Sequence, residues 1–485
     1  MKLHRVYIAL MAAFCVIGFG SSGLAQTASN AELPGYAALE KQARTGKVLV
    51  IFALNSGALG IAENALAPAS FEADAAIITA GQNRLVKLLE LAKADAIKPV
   101  WGLPLVAAEV DAAQLAAIAG SGLVAAVHEN RLSKPLLTRT VPHIGTPNLR
   151  AVGLRGKGQI VAVLDTGVLS LHDFFYDPAT LRSRVVREAC FSSIVNNRSN
   201  SVCPGYIPFL EGPGATTPCW VISACYHGSH VAGIAAGRAN ATASYDGVAP
   251  DASIMSVQVF SLFGSYAAVA YLSAYDSDIL SGLSYVRTRR LAGDPIAAIN
   301  MSIGGGFVTG PCNSSPFETI IASLKRLDVA TVIASGNDGM STGVSAVACP
   351  PSAVVVGSSS LTDRVSTFSN SSALVDLLAP GEAVTSASSR TASSYNTSSG
   401  TSMAAPHVAG AFALLRQQFP CTPIGIIENA LKVSGVNVAH PTNSQVYKRI
   451  NLAGALHHLR FVEKQFRCPV VNDPTVVTPQ AISKE

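Results

Sequence analysis

Three polar side chains of this chain are of types and spacing that could do chemistry: Asp165, His227 and Ser402. Ser402 lies in Gly400-Thr401-Ser402-Met403-Ala404-Ala405-Pro406-His407-Val408-Ala409-Gly410. The small polar run from Ser393 to Ser399 ahead of it reads as a loop, and Ala404, Ala405, Val408, Ala409, Ala411, Phe412, Leu414 and Leu415 carry a helical apolar spacing behind it. The serine therefore stands at a helix start, where unpaired N–H groups and a partial positive charge would meet an oxyanion. A hydroxyl there can attack a carbonyl to form an acyl intermediate. On this segment alone it can equally be an ordinary N-cap.

Asp165 ends the continuous apolar run Ile160-Val161-Ala162-Val163-Leu164. Such a run reads as a buried parallel strand, and ligand sites of open α/β sheets lie at its carboxyl end. A structural aspartate capping the next turn is the alternative. His227 opens His227-Gly228-Ser229-His230-Val231-Ala232-Gly233, a small-residue helix onto which a second element can pack closely; a polar helix start without chemistry is its plainer reading.

A serine nucleophile needs a base, and the base an orienter. The chain supplies the three in the order Asp, His, Ser. An α/β-hydrolase needs Ser, then acid, then His, but the one Asp beyond Ser402 is Asp473, and Ala404 breaks the G-x-S-x-G elbow. The order His, Asp, Ser lacks a comparable His motif upstream of Asp165. The segments Val163-Leu164-Asp165-Thr166-Gly167, His227–Gly233 and Gly400–His407 resemble the three signatures of the subtilisin-like serine proteases. The resemblance runs from about Thr138 to the helix after Ser402.

That resemblance implies a serine endopeptidase in which Asp165 orients, His227 is general base and acid, and Ser402 is the nucleophile; His230 is not the base. It implies that Asn337, in Thr331-Val332-Ile333-Ala334-Ser335-Gly336-Asn337, donates to the oxyanion together with the N–H of Ser402. By composition alone the Asn337 segment is a strand ending in a turn. It also implies that Ser302, Ile303 and Gly304 pair with the substrate backbone and wall the specificity pocket. Glycine there lets another backbone approach, and an extended peptide can add to an open edge. A buried strand with a Gly-rich exit is compatible with this. Two alternatives stand beside the hydrolase: a silent peptide-binding descendant, expected had a triad member been missing, and an acyl transferase, which shares the first half-reaction.

The elements that must hold these residues follow from alternating patterns. Runs at Ile160–Leu164, Val231–Gly237, Ser253–Phe260, Ser277–Val286, Ile296–Ile303, Phe317–Leu327, Ala330–Ala334 and Ala353–Gly357 predict an α/β domain, a mainly parallel sheet with helices on both faces. This domain is expected over residues 138–470, with a loose tail at 471–485. Residues 26–137 differ in texture. Lys47–Leu54, Pro99–Val110 (broken near Pro104) and Leu123–Val127 read as strands, and Gln82–Ala94 and Ala112–Ala119 as helices. The β-α-β-β-α-β order resembles the ferredoxin-like pro-domain of secreted subtilases, which templates folding and then blocks the cleft. Processing is expected near Leu137–Thr138.

Lys2, His4 and Arg5 precede an apolar stretch from Val6 to Gly18 that is too short to span a bilayer, then Gly23-Leu24-Ala25. Residues 1–25 thus read as a secretory signal, and no later run is expected to span a membrane. Of nine cysteines, Cys15 falls in that signal and eight remain, an even number that favours disulfides in an exported chain. Cys312 with Cys349 and Cys421 with Cys468 are the expected pairs, while Cys190, Cys203, Cys219 and Cys225 would staple an insertion before His227. A net charge of +5 with scattered basic residues argues against a nucleic-acid partner. No cofactor is required by this chemistry. Calcium, which subtilases often bind in loops, has no clear motif here, although Asp173 and Asp246 lie in loops. The partners expected of a monomer are polypeptide substrates and its own pro-domain.

Overall fold

The computed structural model describes residues 33–55, 59, 71–99, 105–129, 137–177, 180, 182–195, 198–220, 222–264 and 270–462. The expected signal segment, the tail, Cys468 and the junction up to Leu136 lie outside them. The chain divides into two compact units, residues 1–134 and 135–485.

In the first unit, strands Val48–Leu54, Asp95–Pro99, Leu105–Val110 and Val124–Glu129 form one antiparallel sheet, with Val48–Leu54 between the third and fourth strands. Helices Phe71–Leu91 and Ala112–Ala119 follow the first and third strands. Val50, Phe52, Val106 and Val110 pack with Leu85, Leu89 and Leu115 in its core. Asp111 and Gln114 form a reciprocal capping box that starts the second of these helices. Three details depart from expectation. A helix, Tyr36–Ala43, precedes the first strand. The Phe71–Leu91 helix begins well before Gln82, and the second strand begins at Asp95. Pro99 is tolerated in that strand because it lies at the sheet edge.

In the second unit a ten-stranded sheet runs in the order Phe209–Glu211, Val185–Phe191, Ser253–Gln258, Ile160–Asp165, Ile296–Met301, Ala330–Ala334, Val354–Ser359, Leu377–Pro380, Val446–Arg449, Val436–Ala439. Its pairings are parallel except for the antiparallel pair at each edge. Alternate residues of one strand serve two cores. Val161 and Val163 join Val408 and Phe412 on one face, and Ile160, Ala162 and Leu164 join Ile279, Leu283 and Ile321 on the other. Burial on both faces is why these strands read as unbroken apolar runs. After Ile160–Asp165 the chain builds outward on one side, then crosses to Ile296–Met301 on the other. The carboxyl ends of these two neighbours therefore border the crevice where the strand order reverses.

Candidate active site

Asp165 is the last residue of its strand, and its side chain is 0% exposed. A buried carboxylate needs partners. It accepts the N–H of Thr166 at 2.7 Å and the Nδ1–H of His227 at 2.8 Å to Oδ1 and 2.9 Å to Oδ2. The His227–Ala236 helix is fixed to this strand end by Thr166, whose hydroxyl donates to Cys225 O (3.2 Å) and accepts from Gly228 N (3.0 Å). The Cys219–Cys225 disulfide braces the approach to the same point.

Burial disfavours a charged His227, but the Asp165 charge and hydrogen bond outweigh it, so its pKa is raised. Its side chain keeps 30% exposure. With Nδ1 committed to Asp165, Nε2 is left for exchange with a substrate-side group. His230, one helical turn on, donates Nε2–H to Asn396 O at 3.1 Å, and burial first, then the His227 charge, lowers its pKa to about 4. Near neutral pH it carries no charge, and it has no carboxylate partner among the described residues.

Ser402 is the second residue of the Thr401–Gln418 helix and is half-buried. This helix packs on the His227–Ala236 helix and on strands Ile296–Met301, Ala330–Ala334 and Val354–Ser359. The small residues permit close contact: a Cβ on Gly410 would lie 2.8 Å from the Ala235 carbonyl. Pro406 lacks the N–H that would pair with the Ser402 carbonyl four residues earlier. Ser302 Oγ donates to that carbonyl instead, at 2.8 Å, and is itself held by Asn300 Nδ2 at 3.0 Å. The Ser402 hydroxyl points to Ser302 O, 3.5 Å away. The run ahead of Ser402 is not a loop. Ser394–Ser398 is a strand, paired antiparallel with Val384–Ser388. Its polar composition hid a ladder in which Thr385 and Thr397 hydroxyls bond across the strands.

Asn337 follows the Ala330–Ala334 strand and is exposed. Its Oδ1 accepts both the N–H (2.8 Å) and the hydroxyl (3.0 Å) of Thr401. These two hydrogen bonds hold the amide by its oxygen and do not use Nδ2, a donor. Ser302 and Ile303 are buried and Gly304 is exposed. The backbone of Ile303 and Gly304 makes no backbone hydrogen bond among the described residues, which leaves an edge able to pair with an extended chain.

Cys312 pairs with Cys349 as expected, and the insertion is stapled by Cys190–Cys203 and Cys219–Cys225. Cys225 is therefore no metal or redox thiol. Cys421 is disulfide-bonded, and its expected partner Cys468 lies outside the described residues. Asp246 is bound by Arg150 and Arg155 and accepts Ala239 N–H, so its charge is already countered. Among the described residues no group of three His, Cys, Asp or Glu could hold a metal ion. Nor is any helix among them long and apolar enough to cross a membrane.

Thr166, Asn300 and Asn370, whose buried amide bonds the Ser335–Met340 turn around Asn337, complete the site without having been picked out in the sequence. Thr166 had a signal, its place directly after Asp165. Asn300 and Asn370 had none, since their partners come together only in the fold.

Residues 156–425 match the subtilase family. The chain is 34% identical over 222 residues to an extracellular serine proteinase of Thermus sp. (strain Rt41A), covering 46% of this chain and 48% of that protein. It is 29% identical over 304 residues to subtilisin E of Bacillus subtilis, covering 61% and 66%. The chain thus spans between about half and two thirds of these curated relatives. A solved protease structure from Pseudoalteromonas arctica superposes with a TM-score of 0.52 at 26% identity, covering 65% of this chain and 94% of the other. A family match over more than half of the residues, on a parallel sheet with helices on both faces, places the chain in the subtilase family.

Proposed function

We propose that this chain is a secreted serine endopeptidase that cleaves polypeptides through an acyl-enzyme, with Asp165, His227 and Ser402 as its triad. The observation that carries the reading is the 2.8 Å bond from His227 Nδ1–H to a fully buried Asp165, on the helix packed against the Thr401–Gln418 helix that holds Ser402 in its first turn. His227 Nε2 takes the Ser402 Oγ proton as Oγ attacks the scissile carbonyl. The oxyanion receives Asn337 Nδ2–H and the Ser402 N–H, one of the unpaired donors of a helix start. Asp165 favours the imidazolium that forms. The proton then passes to the leaving amine as the C–N bond breaks, and water, activated by the same imidazole, releases the acid. Ser302, Ile303 and Gly304 hold the substrate backbone on the open edge.

In this reading residues 1–25 direct export, residues 26–137 are a pro-domain cut near Leu137–Thr138, and the mature enzyme is a monomer that needs no cofactor. Thermal stability unchanged by a chelator would agree with the last point. Fluorophosphonate labelling of the secreted, processed protein beside Ser402→Ala tests the core of it. Labelling and casein cleavage should both vanish in the variant. Absence of labelling in correctly processed, folded protein would overturn the reading. Product analysis with added amines separates hydrolysis from acyl transfer.

A further inference from the structure

Asn337 is exposed, sits after a glycine in a turn, and must still hold its amide at about 2.7–3.1 Å from an oxyanion. Thr401 holds its side chain from one side. A second group holds its backbone. Asn370 is 0% exposed, and its amide spends both lone pairs and both N–H groups on the Asn337 turn. Oδ1 accepts Asp338 N–H at 3.0 Å and Met340 N–H at 3.1 Å. Nδ2 donates to Ser335 O at 3.2 Å and to the Asp338 carboxylate at 3.1 Å. The Asn370 main chain adds N–H to Gly336 O at 2.9 Å and accepts Ser335 Oγ at 2.8 Å. Gly336 makes room for it: its φ is +110°, and a Cβ there would lie 2.3 Å from Asn370 Nδ2. One buried asparagine thus grips the residues on both sides of Asn337 and makes no side-chain bond to Asn337 itself.

We propose that Asn370 is a positioning residue for the oxyanion donor: it fixes the Ser335–Met340 turn so that Asn337 Nδ2 is pre-aimed at the developing charge. The proposal rests on the reading of Asn337 given above. A side chain that merely stabilises the fold would change unfolding and leave kcat alone. A positioning residue changes kcat through Asn337 and leaves KM nearly untouched, because the aim matters only in the transition state.

A double-mutant cycle on the processed enzyme distinguishes them. Asn337→Ala should lower kcat about 10²–10³-fold, the magnitude known for the corresponding loss in subtilisin. Asn370→Ala should lower kcat by about tenfold with KM within about twofold. With Asn337 already replaced, Asn370→Ala should cost nothing more in kcat, because the group it aims is gone. If Asn370→Ala does not fold, Asn370→Ser takes its place in the cycle. Unchanged kcat in a folded Asn370 variant, or losses that multiply in the double variant, would overturn the proposal while the oxyanion reading stands. Unchanged kcat in Asn337→Ala would instead sink the oxyanion reading, and this proposal with it.

Discussion

His227 and His407 stand on two helices that pack against each other, yet their surroundings push them in opposite directions. His227 opens onto the crevice and gives Nδ1–H to a buried carboxylate, and its pKa rises. His407 is fully buried, gives Nδ1–H to the Met403 carbonyl at 2.9 Å, and takes the Thr140 hydroxyl on Nε2 at 3.1 Å. Burial lowers its pKa to about 4. The same imidazole thus has its charged form favoured in one place and serves as a neutral structural bridge in the other. What separates them is a charged partner and an open side, not the residue type or the motif.

The sharpest way to break this contrast is to remove each ring. Ser402→Ala and His227→Ala should lower kcat by about 10⁶-fold and Asp165→Asn by about 10⁴-fold, magnitudes known for triad enzymes of this kind. His407→Asn should keep kcat/KM within about tenfold, since its ring touches no reacting atom. Equal damage at the two histidines, measured on a peptide substrate, would erase the distinction between them. The residual activity of Asp165→Asn carries a second reading. A general base at His227, as proposed, must be neutral, so activity should fall as pH drops through its pKa. Removing the Asp165 charge leaves burial as the dominant influence, and the acid limb of kcat/KM should move to lower pH.

Stability should show the opposite signs directly. His227 has a raised folded pKa, so its contribution is fully present below the unfolded value and fades as pH rises through the folded one. His407 falls from 6.5 to about 4 on folding, so the unfolded chain takes up its proton first. Its contribution is present above the unfolded value and lost as pH falls from there towards 4, at a cost of about 3 kcal/mol. His407→Asn should lower stability at neutral pH by loss of two hydrogen bonds, but lose less on acidification. Denaturant unfolding from pH 7 to pH 4, in a Ser402→Ala background that cannot digest itself, measures both. An acid limb equally steep in the variant would assign the loss to other groups.

The same contrast explains what could be read in advance. Asp165, His227 and Ser402 are legible because each sits in a short local pattern, an apolar run ending in acid or a small-residue helix start. Their partners are not. Asn370 reaches the turn from 32 residues away, and Ser302 meets Ser402 across 100 residues. Neither contact has a local signature, although Ser302 itself lies in a segment singled out in the sequence, because only the closed sheet creates it. Backbone pairing overrode composition at Ser394–Ser398, where polar residues form a strand. Cys312–Cys349 was legible as a pair flanking one segment, whereas four clustered cysteines allowed several pairings and only the fold chose Cys190–Cys203 and Cys219–Cys225.

Met403 joins the two regions and gives the smallest and most local test. Its neighbour is Ser402, and its carbonyl is the acceptor for His407 Nδ1–H. Its side chain is 2% exposed, so peroxide must reach a buried sulfur and oxidation should be slow. Once formed, the sulfoxide adds a polar oxygen next to the serine. The carbonyl that holds His407 is backbone and does not change. Oxidation confirmed at Met403 by mass spectrometry should therefore lower kcat by about tenfold or less, far short of losing a triad residue. The acid loss of stability assigned to His407 should stay as steep as before. A flattened acid limb together with retained activity would show that the sulfur supports the buried bridge and not the nucleophile, and would reverse the assignment of the two sides of Met403.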